Sequence, residues 1–314
     1  MVTASNRDEE TVFRGMPGSR LGTSGVVIPR ISLGCWNNFG ADADEDLCRQ
    51  LVFTAFDQGV THFDLANNYG PPPGSAEERF GKILKQLPRD EIVISTKAGY
   101  LMWEGPYGNW GSRKHLLASL DQSLRRLQVD YVDIFYHHRP DGQTRLDETL
   151  GALDSAVRMG KAFYPGISNY GADETRRAVA CAEANGFAPF LVNQSKYNMF
   201  QRVIEDELLS VAAEAGMGVV VYSPLAQGLL TNRYLQDIPP GSRAGTRTDY
   251  SGALTASQIT EAVLTRVRAL QEVASRRGQS LAQLAISWTI RDRDGGRTAG
   301  AIVGASSVEQ LREN

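Results

Sequence analysis

Eight times along this 314-residue chain a short β-prone run is followed by a segment of helical period, and that alternation constrains the fold more than any single residue does. The strand runs are ISLGCW, HFDLA, EIVISTKAG, VDIFYHH, AFYPGIS, FLVNQS, GVVVYSPLA and TAGAIVGA. Between them lie stretches such as DEDLCRQLVFTAFDQG, with its stop signal at Gly59, and SRKHLLASLDQSLRRL, where Leu116, Leu120, Leu124 and Leu127 form one apolar stripe behind the candidate cap Ser112. A strictly alternating β/α chain of this count closes on itself, because closure removes both sheet edges, so the expected fold is α/β, a (β/α)8 TIM barrel and not an open doubly wound sheet. The glycine-punctuated FRGMPGSRLGTSGVVIPR reads as an N-terminal β-hairpin ahead of the barrel. Residues 1–12 are expected to be a mobile polar lead, and residues 13–314 one barrel domain.

Composition narrows the function. A formal net charge of -3 argues against a nucleic-acid partner, and no stretch of about 20 apolar residues is present to span a membrane. The three cysteines, Cys35, Cys48 and Cys181, form no CxxC pair, which fits neither a disulfide framework nor structural zinc. The N-terminus lacks the basic-then-apolar order of a secretory leader, so a reducing cytoplasm is the expected compartment and a small molecule the expected partner.

In a barrel, functional side chains come from the C-terminal ends of different strands. Those positions hold Asp64, Lys97, His138, Ser168 with Asn169, and Gln194. Lys97 closes the apolar run IVIST, where an unpaired ammonium would be desolvated, so it needs a partner, and Asp64 on the adjacent strand supplies one. A buried ion pair tying two strands together would also account for both residues. Tyr69 follows Asp64 by five positions, and a neighbouring ammonium is expected to lower its pKa far enough for proton donation. His138 would orient a substrate oxygen. The doublet His137–His138 does not suggest a metal, because adjacent strand residues face opposite ways and no HExxH is present. Neither GxGxxG after a strand nor GxxxxGK[ST] occurs, so a cofactor would be held by other means, with the start of the last helix in GASSVEQLREN the expected phosphate site. Arg233, Arg243 and Arg247 lie in the loop upstream, and Trp36 and Trp110 are candidate pocket walls.

Taken together, FDLANNYG, STKAG, DIFYHHRPD, GISN, NQSKYN, YSPLAQG and GASSVEQLREN resemble the aldo-keto reductases from about Phe13 onward. NNYGPPPGSAEERFGKIL and YGNWGSRKHLLASLDQSLRRL are similar to the branch of bacterial glyceraldehyde 3-phosphate reductases, itself related to potassium-channel β subunits. The resemblance implies reduction of a small aldehyde or ketone by NADPH, with Tyr69 as general acid, Lys97 acting on it, Asp64 pairing Lys97 and His138 orienting the carbonyl. It carries the cofactor contacts onto Cys35, Trp36, Asp64, Ser168, Asn169, Gln194, Tyr222, Ser223, Pro224, Leu225, Ala226, Gln227, Arg233, Arg243, Gly304, Ser306, Gln310, Glu313 and Asn314. Tyr222 would stack on the nicotinamide, Asn169 and Gln194 would hold its carboxamide, and Ser306 with a nearby cation would favour the extra phosphate. Trp36, Tyr69, Trp110 and His138 would line the substrate pocket. Relatives continue past the motif ending at Asn314 with a helix and tail that shape that pocket, and a homo-oligomer is implied. Two alternatives stand beside the reductase: a cofactor-occupied sensor subunit with slow turnover, and a barrel lyase or isomerase without nicotinamide.

Overall fold

Parallel strands cannot be joined by a tight turn, so each needs a crossover, and this sequence supplies a helix for every one. The computed structural model describes residues 14–240, 242, 244–245, 254–293 and 296–314. Residues 1–12, together with Arg243 and Arg247, lie outside them. An antiparallel hairpin, β1 (Gly18–Arg20) and β2 (Val27–Pro29), precedes the repeating part. There follow β3 (Ile31–Gly34), α1 (Glu45–Asp57), β4 (His62–Asp64), α2 (Ser75–Leu84), β5 (Val93–Ala98), α3 (Arg113–Leu127), β6 (Val132–His137) and α4 (Leu146–Arg158). The second half runs β7 (Ala162–Ser168), α5 (Ala172–Asn185), β8 (Val192–Lys196), α6 (Leu208–Glu214), β9 (Gly218–Tyr222), α7 (Glu261–Arg276), α8 (Leu281–Thr289), β10 (Gly300–Val303) and α9 (Val308–Glu313). Strands β3 to β10 form a closed parallel barrel in which β10 pairs with both β9 and β3.

Period two sorts each strand. Outward side chains such as Phe63 pack on the helices, its ring 5.2 Å from that of Phe80 on α2. Inward residues make a second core, in which Ile134, Tyr136, Val192 and Val220 meet Leu21 and Ile28 of the hairpin. The hairpin therefore floors the barrel, and burying each such aliphatic side chain is worth about 1.5–3 kcal/mol. Ser112 caps α3 as its position suggests, accepting a hydrogen bond from His115 N–H at 3.2 Å.

Boundaries shift in a few places. The strand ISLGCW ends at Gly34, and Trp36 (φ -104°, ψ -124°) leaves the extended region to enter a 3₁₀ turn at Asn37–Phe39. Helix α6 begins only at Leu208, after a 3₁₀ turn at Val203–Glu205 in which Glu205 is held by Tyr197, Arg202 and Arg291. No helix among the described residues is long and apolar enough to cross a membrane.

Candidate active site

The inward face of β4 carries His62 and Asp64, and that of β5 carries Ser95 and Lys97, in register across the pair. Lys97 is wholly buried, and its ammonium donates to Asp64 Oδ2 at 2.6 Å, to the Leu65 carbonyl at 2.6 Å and to Tyr69 Oη at 3.4 Å. All three protons have acceptors, as a buried ammonium requires. Burial lowers the Lys97 pKa, and Asp64 opposes that shift.

Asp64 is as fully used. Its Oδ1 accepts from Ser95 Oγ at 2.7 Å and from Gln194 Nε2 at 2.8 Å across the barrel. Behind Ser95 stands His62, with Nε2 3.0 Å from Ser95 Oγ and Nδ1 2.8 Å from Ser32 Oγ. Burial holds His62 at a pKa of about 4, so the ring is neutral. Since Ser95 gives its proton to a carboxylate that can only accept, it must accept from His62 Nε2–H, and Ser32 then donates to Nδ1. Every donor in this line points at Asp64.

Tyr69 is carried to the lysine by the loop after β4. Leu65 and Asn67 N–H groups continue the ladder onto Ser95 and Lys97 carbonyls, and Tyr69 N–H closes a turn on Ala66. Gly70 has to be glycine there, since a Cβ would lie 2.0 Å from the Pro72 carbonyl oxygen. The net shift of the phenol is opposite to the one expected from Lys97: burial first, then the Asp64 charge, hold Tyr69 well above the usual tyrosine range. Asp64, bonded to the same ammonium, adds to the rise. Tyr69 is thus kept protonated.

His138 lies just past β6, its N–H on the Ala98 carbonyl at 2.9 Å and its own carbonyl receiving Asn169 Nδ2 at 3.0 Å. Its ring stands edge-on to Tyr69 at 5.9 Å and to Tyr100 at 4.6 Å, while Nδ1 is buried without a partner among the described residues. Burial, then Lys97, keeps it neutral. His137 belongs elsewhere, bonded through Nδ1 to Tyr170 Oη at 2.7 Å. The ring of Trp36 is 6.1 Å from that of Tyr69, and Trp110 stands at the exposed rim in a left-handed conformation (φ 69°).

The β7 to β10 side of the mouth is built differently. Asn169, Ser223, Ala226 and Gln227 all have φ between 47° and 60°, a strained cluster at strand ends of the kind found at functional sites. Tyr222 Oη donates to Asn169 Oδ1 at 2.8 Å, Asn169 Nδ2 also reaches Ser168 Oγ at 3.2 Å, and Ser168 Oγ donates to the Gln194 carbonyl at 3.0 Å. Pro224 and Leu225 continue into the turn, where Gln227 Oε1 accepts from Leu254 N–H at 2.8 Å. Cys35 is buried, its N–H on the Asp64 carbonyl. Gly304 is exposed, and a Cβ there would meet nothing nearer than the Gly34 carbonyl oxygen at 3.8 Å. Ser306 N–H and Oγ both reach Gln310 Oε1, at 2.8 and 2.9 Å, and the Nδ2 of Asn314 is buried without a partner among the described residues. Arg233 and Glu313 are exposed nearby in sequence to these segments, and Arg243 lies outside the described residues.

The model of the Aldo/keto reductase family matches residues 30–314. The chain belongs to that family. Two relatives bracket it. An L-glyceraldehyde 3-phosphate reductase of Escherichia coli is 50% identical over 297 residues, covering 93% of this chain and 85% of that protein. A probable voltage-gated potassium channel subunit beta of Arabidopsis thaliana is 35% identical over 304 residues, covering 95% of this chain and 90% of that protein. Among solved structures, a thermostable aldo-keto reductase in complex with the inhibitor epalrestat matches with a TM-score of 0.73 and 30% identity, over 95% of this chain and 92% of that one. The protein is accordingly an oxidoreductase of the aldo-keto reductase type, and such enzymes use a nicotinamide cofactor, NAD(P)H. The β7 to β10 side suits that group, with an aromatic face at Tyr222, open backbone at Gly304 and, at Asn314, an amide nitrogen that has no partner among the described residues.

Sequence reasoning did not single out Ser32, His62, Ser95, Tyr100 or Arg139. His62 and Ser95 were open to it, since they precede Asp64 and Lys97 by two and share their face.

Proposed function

We propose that this protein reduces small aldehydes and ketones to alcohols with NADPH, glyceraldehyde 3-phosphate and methylglyoxal being the substrates to try first. The observation that carries this reading is the corner in which Tyr69, Lys97 and Asp64 share direct hydrogen bonds with His138 alongside. When bound, the nicotinamide supplies a hydride to the carbonyl carbon. Tyr222 would stack on its ring, Asn169 would address its carboxamide, and Ser306, Gln310 and Asn314 would take the far end, with Arg233 and Arg243 as candidate cations. The protein's own task is the proton. As charge develops on the carbonyl oxygen, Tyr69 Oη gives up its proton to it, and the adjacent Lys97 ammonium stabilises the phenolate left behind. Asp64 fixes that ammonium in place, and His138, neutral, donates a hydrogen bond to the same oxygen. Solvent returns the proton to Tyr69 after release.

The test is turnover. Purified protein given NADPH and each aldehyde should consume the reduced cofactor's absorbance at the rate alcohol appears, faster than with NADH. The likeness to a channel subunit favours a second reading, a cofactor-holding sensor. Tight NADPH binding with negligible turnover on every aldehyde would select it.

A further inference from the structure

Beyond His138 the pocket wall continues as an unbroken line of rings. Tyr100 packs edge-on to His138 at 4.6 Å, the Arg139 guanidinium carbon lies 4.2 Å from the centroid of Tyr100, and 4.0 Å from the centroid of Trp110 on its other contact. The guanidinium is fixed as well as stacked: Nε donates to the Gly99 carbonyl at 3.2 Å and Nη2 to Asn109 Oδ1 at 3.0 Å. Both acceptors are neutral. Among the described residues no carboxylate pairs with Arg139 and Nη1 has no hydrogen-bond partner, although the surface elsewhere pairs many of its arginines with acids. Its charge is felt in the pocket, being among those that keep His138 neutral. A rigid, half-buried cation with an open edge and no counter-ion is a receptor for an anion, and a planar fork suits phosphate or carboxylate.

We infer that Arg139, held between Tyr100 and Trp110, is an anion subsite that reads the phosphate at the far end of an aldehyde whose carbonyl lies at Tyr69 and His138. This rests on the reductase reading above and adds the residue that selects among substrates. The same geometry would accept a carboxylate tail, so the test separates the two.

Arg139→Met should lower kcat/KM for glyceraldehyde 3-phosphate by about 100-fold, mostly through KM, as loss of a charge-assisted contact does. The loss on methylglyoxal, which has no anionic tail, should be at least tenfold smaller, and Arg139→Lys should recover part of the selectivity by restoring charge without the fork. A matching loss on succinic semialdehyde would extend the subsite to carboxylates. Equal losses on charged and neutral aldehydes would overturn the inference and leave Arg139 as a staple for the 99–110 loop. Binding gives a readout that needs no turnover: with NADP⁺ present, glycerol 3-phosphate should bind the unaltered protein more tightly than Arg139→Met by a similar factor. If no aldehyde is reduced yet that difference persists, the reductase reading fails and the subsite stands. If the two proteins bind it alike, the subsite fails.

Discussion

The two sides of the barrel mouth solve different problems. On the β4 to β6 side the groups are assembled by direct bonds between charged and polar side chains: Lys97 has three acceptors, and Asp64 has three donors in Ser95, Lys97 and Gln194. On the β7 to β10 side the pieces are backbone in left-handed conformations and neutral side chains bonded to one another, with Gly304 open and the Nδ2 of Asn314 without a partner among the described residues. The first arrangement is complete without any ligand, as a site must be if it is to stabilise developing charge without reorganising. The second leaves surface for something large and polar to lie on. Chemistry and cofactor holding should therefore be separable by mutation, and each of the following changes tests that separation.

The largest effect belongs to Tyr69, the proposed proton donor. Tyr69→Phe removes one oxygen and should lower kcat by on the order of 10³-fold while leaving the NADPH Kd within about twofold. Stopped turnover with intact cofactor binding is the expected result in a fluorescence titration paired with a steady-state assay. Retained activity would remove Tyr69 from the mechanism, and weakened cofactor binding would show that the two sides are not independent.

Next comes the ion pair. Lys97→Met leaves Asp64 buried without its cation, which should cost about 3–5 kcal/mol of stability along with activity. Adding Asp64→Asn removes the stranded charge, so the double variant should regain much of that stability, read by denaturant unfolding, with no return of turnover. Recovery of both would reduce the pair to a structural tie between β4 and β5.

On the other side, Tyr222→Ala should raise the NADPH Kd about tenfold, the order expected for a lost stacking contact of 1–2 kcal/mol. At saturating cofactor its kcat should fall far less than that of Tyr69→Phe. A collapse of kcat at saturation would mean that Tyr222 aligns the reaction as well as binding the cofactor.

Much of this was legible before any coordinates. Eight alternating units demanded closure, and the charge buried at the end of IVIST demanded Asp64, because in both cases the penalty for the alternative is large and local. What escaped depends on closure itself. Gln194 reaches Asp64 over 130 positions of sequence, and the ring line from His138 to Trp110 forms where loops from β5 and β6 meet. The sign of the Tyr69 shift escaped for a related reason: a neighbouring lysine argues for a lower pKa, whereas burial and the Asp64 charge raise it. The proposed cofactor contacts rest mostly on family resemblance: the strand-end positions of Ser168, Asn169 and Gln194 and the start of the last helix could be read from the sequence, but neutral side chains and turn backbone carry little chemical signature.

The smallest effect sharpens the contrast from beneath. His62, at the root of the line through Ser95 to Asp64, has its folded pKa lowered to about 4 from 6.5, and burial lowers the other three histidines too. A lowered histidine pKa means that between these values the unfolded chain binds a proton that the folded chain refuses, so stability falls as pH drops below about 6.5. For His62 alone the slope is one proton, about 1.4 kcal/mol per pH unit, ending once pH passes below the folded value. His62→Gln keeps a polar side chain that cannot titrate, and its unfolding free energy measured from pH 7 down to 5 should decline one proton less steeply than that of the unaltered protein. An unchanged slope would mean that His62 accepts a proton in the folded barrel, and the one-way line of donors to Asp64 would then be wrong, since a doubly protonated ring would force Ser32 to turn its own proton away.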